Sequence, residues 1–227
     1  MKTTTPLTRS REDYLKAIHT LGHERAATVT ELARALEVSA PSVTNMLARL
    51  SRENLVSLGH RGSAQLTAEG EREALRMVRR HRILETFLVQ VLGLDWSEVH
   101  EDAEVLEHHV SERVLDAIDR HMQHPTEDPH GHPIPDRRGR LPRRRLDPLT
   151  GLPAGACAVV REIRDGDRRR MTRWKQAGLV PGAEVRVADA DEHDGMFEIE
   201  VAGRRHVLTS QGLDGVFVER VREGRAS

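Results

Sequence analysis

Imidazole and carboxylate side chains recur at helical spacing between His81 and His108, and this pattern constrains the fold more than any other in the chain. His81 and Glu85 lie four residues apart. In the run VHEDAEVLEHH the candidate ligands His100, Glu104, Glu107 and His108 follow at intervals of four, three and one. Positions three or four residues apart share one face of an α-helix. The pattern therefore predicts two packed helices whose ligating atoms meet at a mixed nitrogen and oxygen metal site.

The donor types narrow the choice of metal. Neutral imidazole with carboxylate suits Mn, Fe, Co, Ni or Zn, and the lack of thiolate argues against a soft metal or an iron–sulfur cluster. Spacing alone leaves a second interpretation open, in which these residues are solvated charges on amphipathic helices. The single cysteine, Cys157, lies in the apolar run ACAVV, which excludes an intramolecular disulfide framework and predicts a buried thiol in a reducing cytoplasm.

Length and charge predict more than one folding unit. The 227 residues suffice for two compact units or three small ones. A formal net charge of −1 conceals a basic segment over 1–65, an acidic segment over 67–121 and six arginines within 137–145. No export signal and no run of eighteen apolar residues is present, so we expect a soluble cytoplasmic protein.

Apolar spacing and turn residues predict the N-terminal elements. A first helix covers 10–21, and a second begins at Thr28 in TVTELARALEV. Ser39 is suited to cap a third helix, APSVTNMLARLSREN. The segment LVSLGHRGSAQLT then alternates as two short strands joined by a tip at 59–62. Helix, helix-turn-helix and hairpin in this order are typical of a winged helix-turn-helix.

The rest of the chain predicts a helical part followed by a β-rich part. A long helix runs from Thr67 to Gly93, and a second helical stretch with an apolar stripe runs from Trp96 to about Met122. Residues 123–150 lack any period and predict a linker or loop-rich connection, in which the histidines and the arginine run are solvated. Beyond residue 151, five short β-like runs and one short helix, RRRMTRWKQA, predict a small closed barrel in which Met171 and Trp174 are packed.

Together these segments resemble the diphtheria toxin repressor and manganese-transport regulator (DtxR/MntR) family of metal-dependent transcription factors. The resemblance covers nearly the whole chain and is carried by EDYLKAI, VSAPSVTNMLARL, LTAEG, RRHRILETFL, VHEDAEVLEHHVS, PHGHPIP and GLVPGAEVRV. It implies a multidomain fold, mainly α with small β. The implied parts are a winged helix-turn-helix DNA-binding domain (1–66), a helical dimerisation and metal-binding domain (67–136), a linker (137–150) and an SH3-like, FeoA-type β-barrel (151–227).

The resemblance also implies a mechanism. In such proteins a divalent metal orders the first helix against the dimerisation domain, so that a homodimer binds a palindromic operator and usually represses metal uptake. The primary centre would comprise Asp13, Glu104, Glu107 and His108, and the ancillary centre His81, Glu85 and His100, with Asp167 as an extra ligand. Oxygen-rich ligation favours Mn²⁺, with Fe²⁺ possible. Lys16 and Arg170 depart from the pattern, because the family places metal ligands at these positions.

The third predicted helix supplies the DNA-contacting residues. Recognition helices direct their N-terminal residues to the major groove, which predicts contacts from Ser39, Pro41, Ser42, Thr44 and Asn45. Asn45 can read adenine and Pro41 can touch a thymine methyl, while the hydroxyls suit phosphates. Arg49 and the wing-tip Arg61 would add salt-dependent attraction to the backbone. Ser39 is also suited simply to cap the helix, and Arg49 to be solvated.

Two other function classes compete with this interpretation. A metal-dependent hydrolase would also use Glu and His on helices, but the chain has no HExxH, phosphate loop or nucleophile elbow, so we do not expect an enzyme. A metal-independent DNA-binding protein would use the acidic face only to dimerise. It would be distinguished by its indifference to a chelator.

Overall fold

The computed structural model describes residues 9–22, 25–142, 144–164, 168–191 and 194–221. The chain divides into two compact units. The first unit comprises Met1–His81, Val105–Leu115 and Ile134–Leu141, and the second comprises Arg82–Glu104, Asp116–Pro133 and Pro142–Ser227. The division passes through one continuous helix, and each unit is described in turn.

Three short helices open the first unit. They are α1 (Arg9–Leu21), α2 (Val29–Ala35) and α3 (Ala40–Arg52). Thr28 and Glu31 form a capping box that begins α2, and Ser39 accepts a hydrogen bond from the backbone of Ser42 to begin α3. Glu37 adopts a positive φ of 53°, which reverses the chain between the two helices. In both caps the bonded residues lie within four positions of each other along the chain, which explains why the sequence predicts these helices correctly.

An antiparallel hairpin completes the winged helix-turn-helix. Strands β1 (Val56–Leu58) and β2 (Ala64–Leu66) pair with Val56 opposite Leu66, and a 3₁₀ turn at His60–Gly62 joins them. The apolar faces of the three helices and the hairpin share one core, whose fully buried members include Leu15, Leu32, Val43 and Leu50. The core fixes α3 with its opposite face exposed.

Three further helices follow, and here one prediction is wrong. Helix α4 (Ala68–Gln90) is continuous, but the stretch predicted as one helix from Trp96 to Met122 is divided into α5 (Val99–Glu107) and α6 (Glu112–His121). The break has a local cause, because the Ser111 hydroxyl accepts a hydrogen bond from the backbone N–H of Val114 and starts a new helix. Among the described helices, α4 included, none is long and apolar enough to cross a membrane.

The segment predicted as an aperiodic linker is largely ordered. Residues Asp128 and His130 of the second unit and Ile134 of the first are buried. The Asp128 carboxylate accepts hydrogen bonds from the backbone N–H groups of His130 and His132, at 2.8 and 2.9 Å. We call Asp128–Pro133 the DPHGHP loop. Aperiodicity correctly excluded helix and strand for the described residues of 123–146, although a two-residue strand begins at Asp147. A loop that satisfies its own backbone can still be buried.

The arginine run also departs from the expected flexible linker. Arg140 pairs with Asp136 at 2.6 Å in the first unit. In the second unit, Arg144 pairs with Glu127 at 2.5 Å and donates to the carbonyl of Gly131. These described members of the run therefore hold the chain against nearby acids and carbonyls.

The second unit contains a six-stranded antiparallel sheet. Its strands are β3 (Asp147–Pro148), β4 (Cys157–Ile163), β5 (Glu184–Asp191), β6 (Met196–Val201), β7 (Arg204–Thr209) and β8 (Val216–Arg220), in the order β3-β8-β4-β5-β6-β7. Helices α7 (Arg168–Ala177) and α8 (Ser210–Leu213) accompany it. Met171 and Trp174 are packed in its core as predicted. Five of the six strands coincide with the predicted β-like runs, and the two-residue β3 was not predicted.

Cys157 is exposed, so its predicted burial is wrong. Side chains alternate along β4, and Ala158, Val160 and Ile163 are the buried members. Cys157 begins the strand on the outward side. The apolar run ACAVV therefore lies on a strand with one buried face and one exposed face, and Cys157 is on the exposed face.

Candidate metal centres and DNA-binding surface

Two acids of α1 meet an imidazole that directly follows α5. The Nδ1 atom of His108 lies 3.1 Å from Glu12 Oε2, and its Nε2 atom lies 3.1 Å from Asp13 Oδ1. The His108 side chain is almost completely buried, and Glu107 lies beside it. Asp13, Glu107 and His108 can present ligand atoms that all lie within 4.8 Å of one another. We call Glu12, Asp13, Glu107 and His108 the primary cluster.

Glu107 is the most buried acid of the primary cluster, with 1% of its surface exposed. Its Oε2 atom lies 2.6 Å from His81 Nδ1, and Lys16 Nζ lies 3.0 and 3.1 Å from its two oxygens. Burial opposes ionisation of Glu107, but the hydrogen bond from His81 and the charge of Lys16 outweigh it and lower the pKa. Glu107 is therefore held as a carboxylate. It accepts the Nδ1–H of His81, which leaves the lone pair of a neutral imidazole on Nε2.

Asp13 has a different electrostatic environment. Burial raises the pKa of its carboxyl above the usual value, against the opposing influences of His108 and Arg9. Burial makes this carboxyl costly to ionise, so a nearby cation would stabilise its charged form. Its neighbour Glu12 was missed by the sequence prediction. The available signal was the pair Glu12–Asp13 in EDYLKAI, which offers a second carboxylate next to the predicted ligand.

Glu104, predicted as a ligand of the primary centre, belongs to the second unit. Its Oε1 atom lies 3.5 Å from His100 Nε2, and its side chain is about half exposed. Asp167, expected as an extra ligand, lies outside the described residues. Arg170 is engaged within the second unit, with its guanidinium 3.9 Å from the Asp214 carboxylate and 5.7 Å from the Trp174 ring centre.

A second group contains the residues predicted for the ancillary centre. Within the second unit, Glu85 Oε1 lies 3.2 Å from His100 Nδ1, and the Glu85 side chain is 1% exposed. His81 precedes Glu85 by one turn of the same helix. His81 belongs to the first unit, and Glu85 and His100 belong to the second. We call His81, Glu85 and His100 the ancillary cluster.

The DPHGHP loop brings together a third group that the sequence prediction assigned to solvent. Asp128, His130 and His132 can present ligand atoms within 4.8 Å, and His130 is completely buried. However, Asp128 is already engaged, because it accepts two backbone N–H groups and lies 3.5 Å from the guanidinium of Arg82. This arrangement explains the loop conformation without a metal.

The donor sets decide which ions fit. The primary cluster offers three carboxylates and one imidazole, a mainly oxygen set that suits Mn²⁺. The ancillary cluster offers two imidazoles and one carboxylate, which suits Fe, Zn, Co or Ni. Buried carboxylates need a positive counter-charge, which protons or ammonium groups can supply. A divalent ion can take over this role when it binds.

The predicted DNA-contacting residues share the solvent-facing side of α3. Ser39, Pro41, Ser42, Thr44 and Asn45 are all exposed. Ser39 also caps the helix, and the Thr44 hydroxyl donates to the carbonyl of Ala40, so both oxygens can still accept. Arg49 is half exposed and lies 3.3 Å from Glu53. The side chain of Arg61 is outside the described part of the chain.

Three family models match successive parts of the chain. Residues 6–64 match the iron-dependent repressor N-terminal DNA-binding domain, residues 67–136 match the iron-dependent repressor metal-binding and dimerisation domain, and residues 148–220 match the FeoA domain. Together they cover most of the sequence, in the same order as the DNA-binding, metal-binding and β-rich parts described above.

Individual relatives match the chain over different lengths. The iron-dependent repressor IdeR of Mycobacterium tuberculosis is 34% identical over 229 residues, which span 95% of this chain and 99% of that protein. The HTH-type transcriptional regulator MntR of Shouchella clausii is 43% identical over 115 residues, or 50% of this chain and 77% of that protein. A solved manganese-dependent transcriptional repressor in complex with manganese is 35% identical, covers 93% of this chain and 100% of its own, and has a TM-score of 0.87.

Proposed function

Because the chain belongs to the family of metal-dependent transcriptional repressors that includes the iron-dependent repressors and manganese-transport regulators, we propose that it is a metal-activated repressor of manganese or iron homeostasis. The family consists of transcriptional repressors and not of enzymes, which removes the metal-hydrolase alternative. The metal-independent alternative concerns how DNA binding is controlled. It is addressed by the experiment below.

One observation carries the proposal. His108 lies between Glu12 and Asp13 of α1, although it is 96 residues from Glu12 in sequence. Helix α1 packs in the core of the winged helix-turn-helix, whereas His108 directly follows α5. Because α1 and the segment after α5 both contribute ligands, the metal affinity would depend on how these two segments are positioned. Metal binding would therefore favour the arrangement in which the DNA-binding domain is held against the helical domain.

The primary cluster supports Mn²⁺ as the activating metal, with Fe²⁺ as the second choice. A bound divalent ion would balance the negative charge of Glu12, Asp13 and Glu107 that Lys16 leaves uncompensated. Hard oxygen ligands suit Mn²⁺, although intrinsic affinity rises from Mn²⁺ to Fe²⁺ for most nitrogen and oxygen sites. Both metals are represented among the relatives, whose names describe iron-dependent and manganese-dependent repressors.

We propose that the active form is a homodimer on a palindromic operator. The match of residues 67–136 to a dimerisation domain supports this, as do the exposed apolar side chains of Val105 on α5 and Val114 on α6. The DNA-binding domains of the two protomers would then place their α3 helices in successive major grooves. In this arrangement Asn45 and Pro41 would read bases, and Ser39, Ser42, Thr44, Arg49 and Arg61 would contact phosphates.

The domain division is part of the proposal. It assigns DNA binding to 1–66, dimerisation and metal binding to 67–136, and the SH3-like domain to 151–227, with 137–150 between them. The three family matches support this assignment. Of the proposed ligands, Asp167 has no support from the described residues.

A DNA titration tests metal activation. A duplex selected from a random library by the manganese-loaded protein would be labelled and followed by fluorescence anisotropy as Mn²⁺ is added to chelator-treated protein. We expect wild type to bind only with metal and Asp13→Ala to lose the response. His109→Ala is the matched control, because it removes an exposed imidazole next to His108. Equal DNA affinity with and without Mn²⁺ would support the metal-independent alternative.

A further inference from the structure

The carboxylate of Glu53 lies between two arginines at the C-terminal end of α3, the helix that contains the proposed DNA-contacting residues. On one side Glu53 pairs with Arg11 of α1. On the other side its Oε1 atom accepts a hydrogen bond from the Nε–H of Arg49 at 3.3 Å. All three residues belong to the first unit. One acid thus connects an arginine of α1 to an arginine of α3.

A carboxylate at this end of a helix is unfavourable by itself. Glu53 is the C-cap residue of α3, where the helix dipole places partial negative charge. The same helix is proposed to approach DNA, whose phosphates also repel an acid. The favourable interactions of Glu53 therefore come from the two arginines that it contacts.

Arg11 holds Glu53 from the buried side. The Arg11 side chain is 10% exposed, and its Nη2 atom donates to Glu53 Oε2. Its Nε atom is buried and has no hydrogen-bond partner among the described residues. Because a buried guanidinium that loses its counter-charge is costly, this pair restrains the Glu53 carboxylate to one orientation.

Arg49 is bound in a way that leaves most of its guanidinium available. Its side chain is 50% exposed, and within the described part of the chain its Nε–H is the group that donates to Glu53. The two Nη groups remain for a phosphate, which a planar guanidinium can bind through two hydrogen bonds. A long side chain that is ordered in advance also loses less conformational entropy when it binds DNA.

We propose that Glu53 is the positioning residue for Arg49. Fixed by Arg11, it directs the Nη groups of Arg49 to a phosphate of the DNA backbone. The inference rests on the proposed DNA contact of Arg49, but not on the identity of the metal or of the operator. The opposite role, in which Glu53 withholds Arg49 from DNA, predicts that loss of its acceptor oxygen tightens binding.

Two neutral replacements of Glu53 separate its hydrogen-bond acceptor from its charge. Glu53→Gln keeps an oxygen that can accept from Arg49, whereas Glu53→Met has a similar length and no such acceptor. Binding of the Mn²⁺-loaded full chain to a random-sequence duplex would be measured by fluorescence anisotropy over a range of salt concentrations. We expect Glu53→Met to bind about 2- to 10-fold more weakly than Glu53→Gln, which corresponds to the cost of ordering one long side chain.

The same two replacements in an Arg49→Ala background isolate the effect that passes through Arg49. Without this guanidinium, Glu53→Gln and Glu53→Met should bind DNA with equal affinity. A difference of the same size in both backgrounds would mean that Glu53 supports only the fold. Tighter binding by Glu53→Met than by Glu53→Gln would mean that Glu53 withholds Arg49. Either result would overturn the proposal.

Two further variants serve as controls. Arg11→Met/Glu53→Met replaces the whole buried pair by apolar side chains, which is often neutral for stability. It should be folded by circular dichroism and bind DNA as weakly as Glu53→Met, and binding as tight as that of Glu53→Gln would overturn the proposal. Glu73→Met removes another acid that pairs with an arginine, Arg76 at 2.8 Å on α4, and should bind DNA as wild type does.

Nitrogen-15 NMR relaxation of the arginine side chains measures the positioning without DNA. The Nε–H of Arg49 should be ordered in wild type and in Glu53→Gln and mobile in Glu53→Met. Equal order in all three proteins would overturn the inference even if DNA binding were normal. Absence of DNA binding by the Mn²⁺-loaded wild type would instead count against the proposed function, so the two failures are distinguishable.

Discussion

Replacing Lys16 with Met should destabilise the metal-free protein through the Glu107 carboxylate. The ammonium lies 3.0 and 3.1 Å from the two Glu107 oxygens, and the two side chains are 18% and 2% exposed. Methionine retains much of the aliphatic stem but removes the charge. Breaking a buried ion pair costs about 3–5 kcal/mol, mostly because one charge stays buried without its partner. Since His81 still donates to Glu107 and Lys16 retains some contact with water, we expect about 2–3 kcal/mol.

The loss should depend on metal. In the primary cluster a divalent ion can neutralise Glu107 in place of the ammonium, and metal at about 100 times its Kd adds about 2.7 kcal/mol to stability. Thermal unfolding would be followed by circular dichroism in EDTA and in Mn²⁺. For a chain of this size, about 2–4 °C per kcal/mol predicts that Tm falls by about 4–12 °C in EDTA and by much less in Mn²⁺.

Lys175→Met is the matched control for this prediction. Lys175 also pairs with an acid, Asp95, at 2.6 Å, but both side chains are substantially exposed. Exposed pairs contribute about 0–1 kcal/mol, so this variant should differ little from wild type in either condition. A Tm for Lys16→Met within about 1 °C of wild type in EDTA, or an equal drop in EDTA and Mn²⁺, would refute the view that Lys16 acts as a counter-charge for Glu107.

Three other variants test separate parts of the proposed function. Asn45→Ala should lose about 1–3 kcal/mol on the selected duplex and little on random DNA, whereas Arg49→Ala should weaken both duplexes and reduce the salt slope by about one; equal losses for Asn45→Ala on both duplexes would contradict base reading. Glu12→Gln should raise the Mn²⁺ midpoint for DNA binding at least about 10-fold, because it replaces a ligand or a close partner of His108; an unchanged midpoint would exclude Glu12 from the centre. Val114→Asp should shift the dimer toward monomer in analytical ultracentrifugation, since it places a charge in an exposed apolar position, and an unchanged dimer would locate the interface elsewhere.

The elements with local determinants could be predicted from the sequence. The caps of α2 and α3 lie within four residues of their partners, at Thr28–Glu31 and Ser39–Ser42. Five strands of the sheet follow period-two alternation between glycines. The same local patterns placed His81 and Glu85 one turn apart on one helix. Each of these features depends on neighbours along the chain, so a single sequence contains the information.

Features that depend on how distant segments meet could not be predicted from local pattern. The spacing of VHEDAEVLEHH treated Glu104 and Glu107 alike, but it could not indicate that Glu107 is buried beside His108 and Lys16. Glu12 becomes a functional candidate only when α1 is packed, and the resemblance singled out Lys16 without predicting its contact with Glu107. His130 lies in an aperiodic loop, and its burial depends on the backbone contact of Gly131 with β4.

The charge balance of the primary cluster leads to a final prediction about metal number. Glu12, Asp13 and Glu107 supply three negative charges, and Lys16 supplies one positive charge in contact with Glu107. One divalent ion balances the remaining two negative charges. Lys16→Glu would leave four carboxylates and no ammonium, which two divalent ions balance. Since uncompensated buried charge is costly, we expect this variant to gain one metal ion per protomer.

Equilibrium dialysis against Mn²⁺ followed by elemental analysis would measure this gain. Lys16→Met is the control, because it removes the ammonium without adding an oxygen ligand and should keep the wild-type metal count. The gain should appear only in Lys16→Glu and should disappear when Asp13→Ala is added, since Asp13 belongs to the same cluster. An unchanged count in folded Lys16→Glu would mean that the space taken by the Lys16 ammonium cannot hold a second ion. The charge balance would then not set the number of metals at this centre.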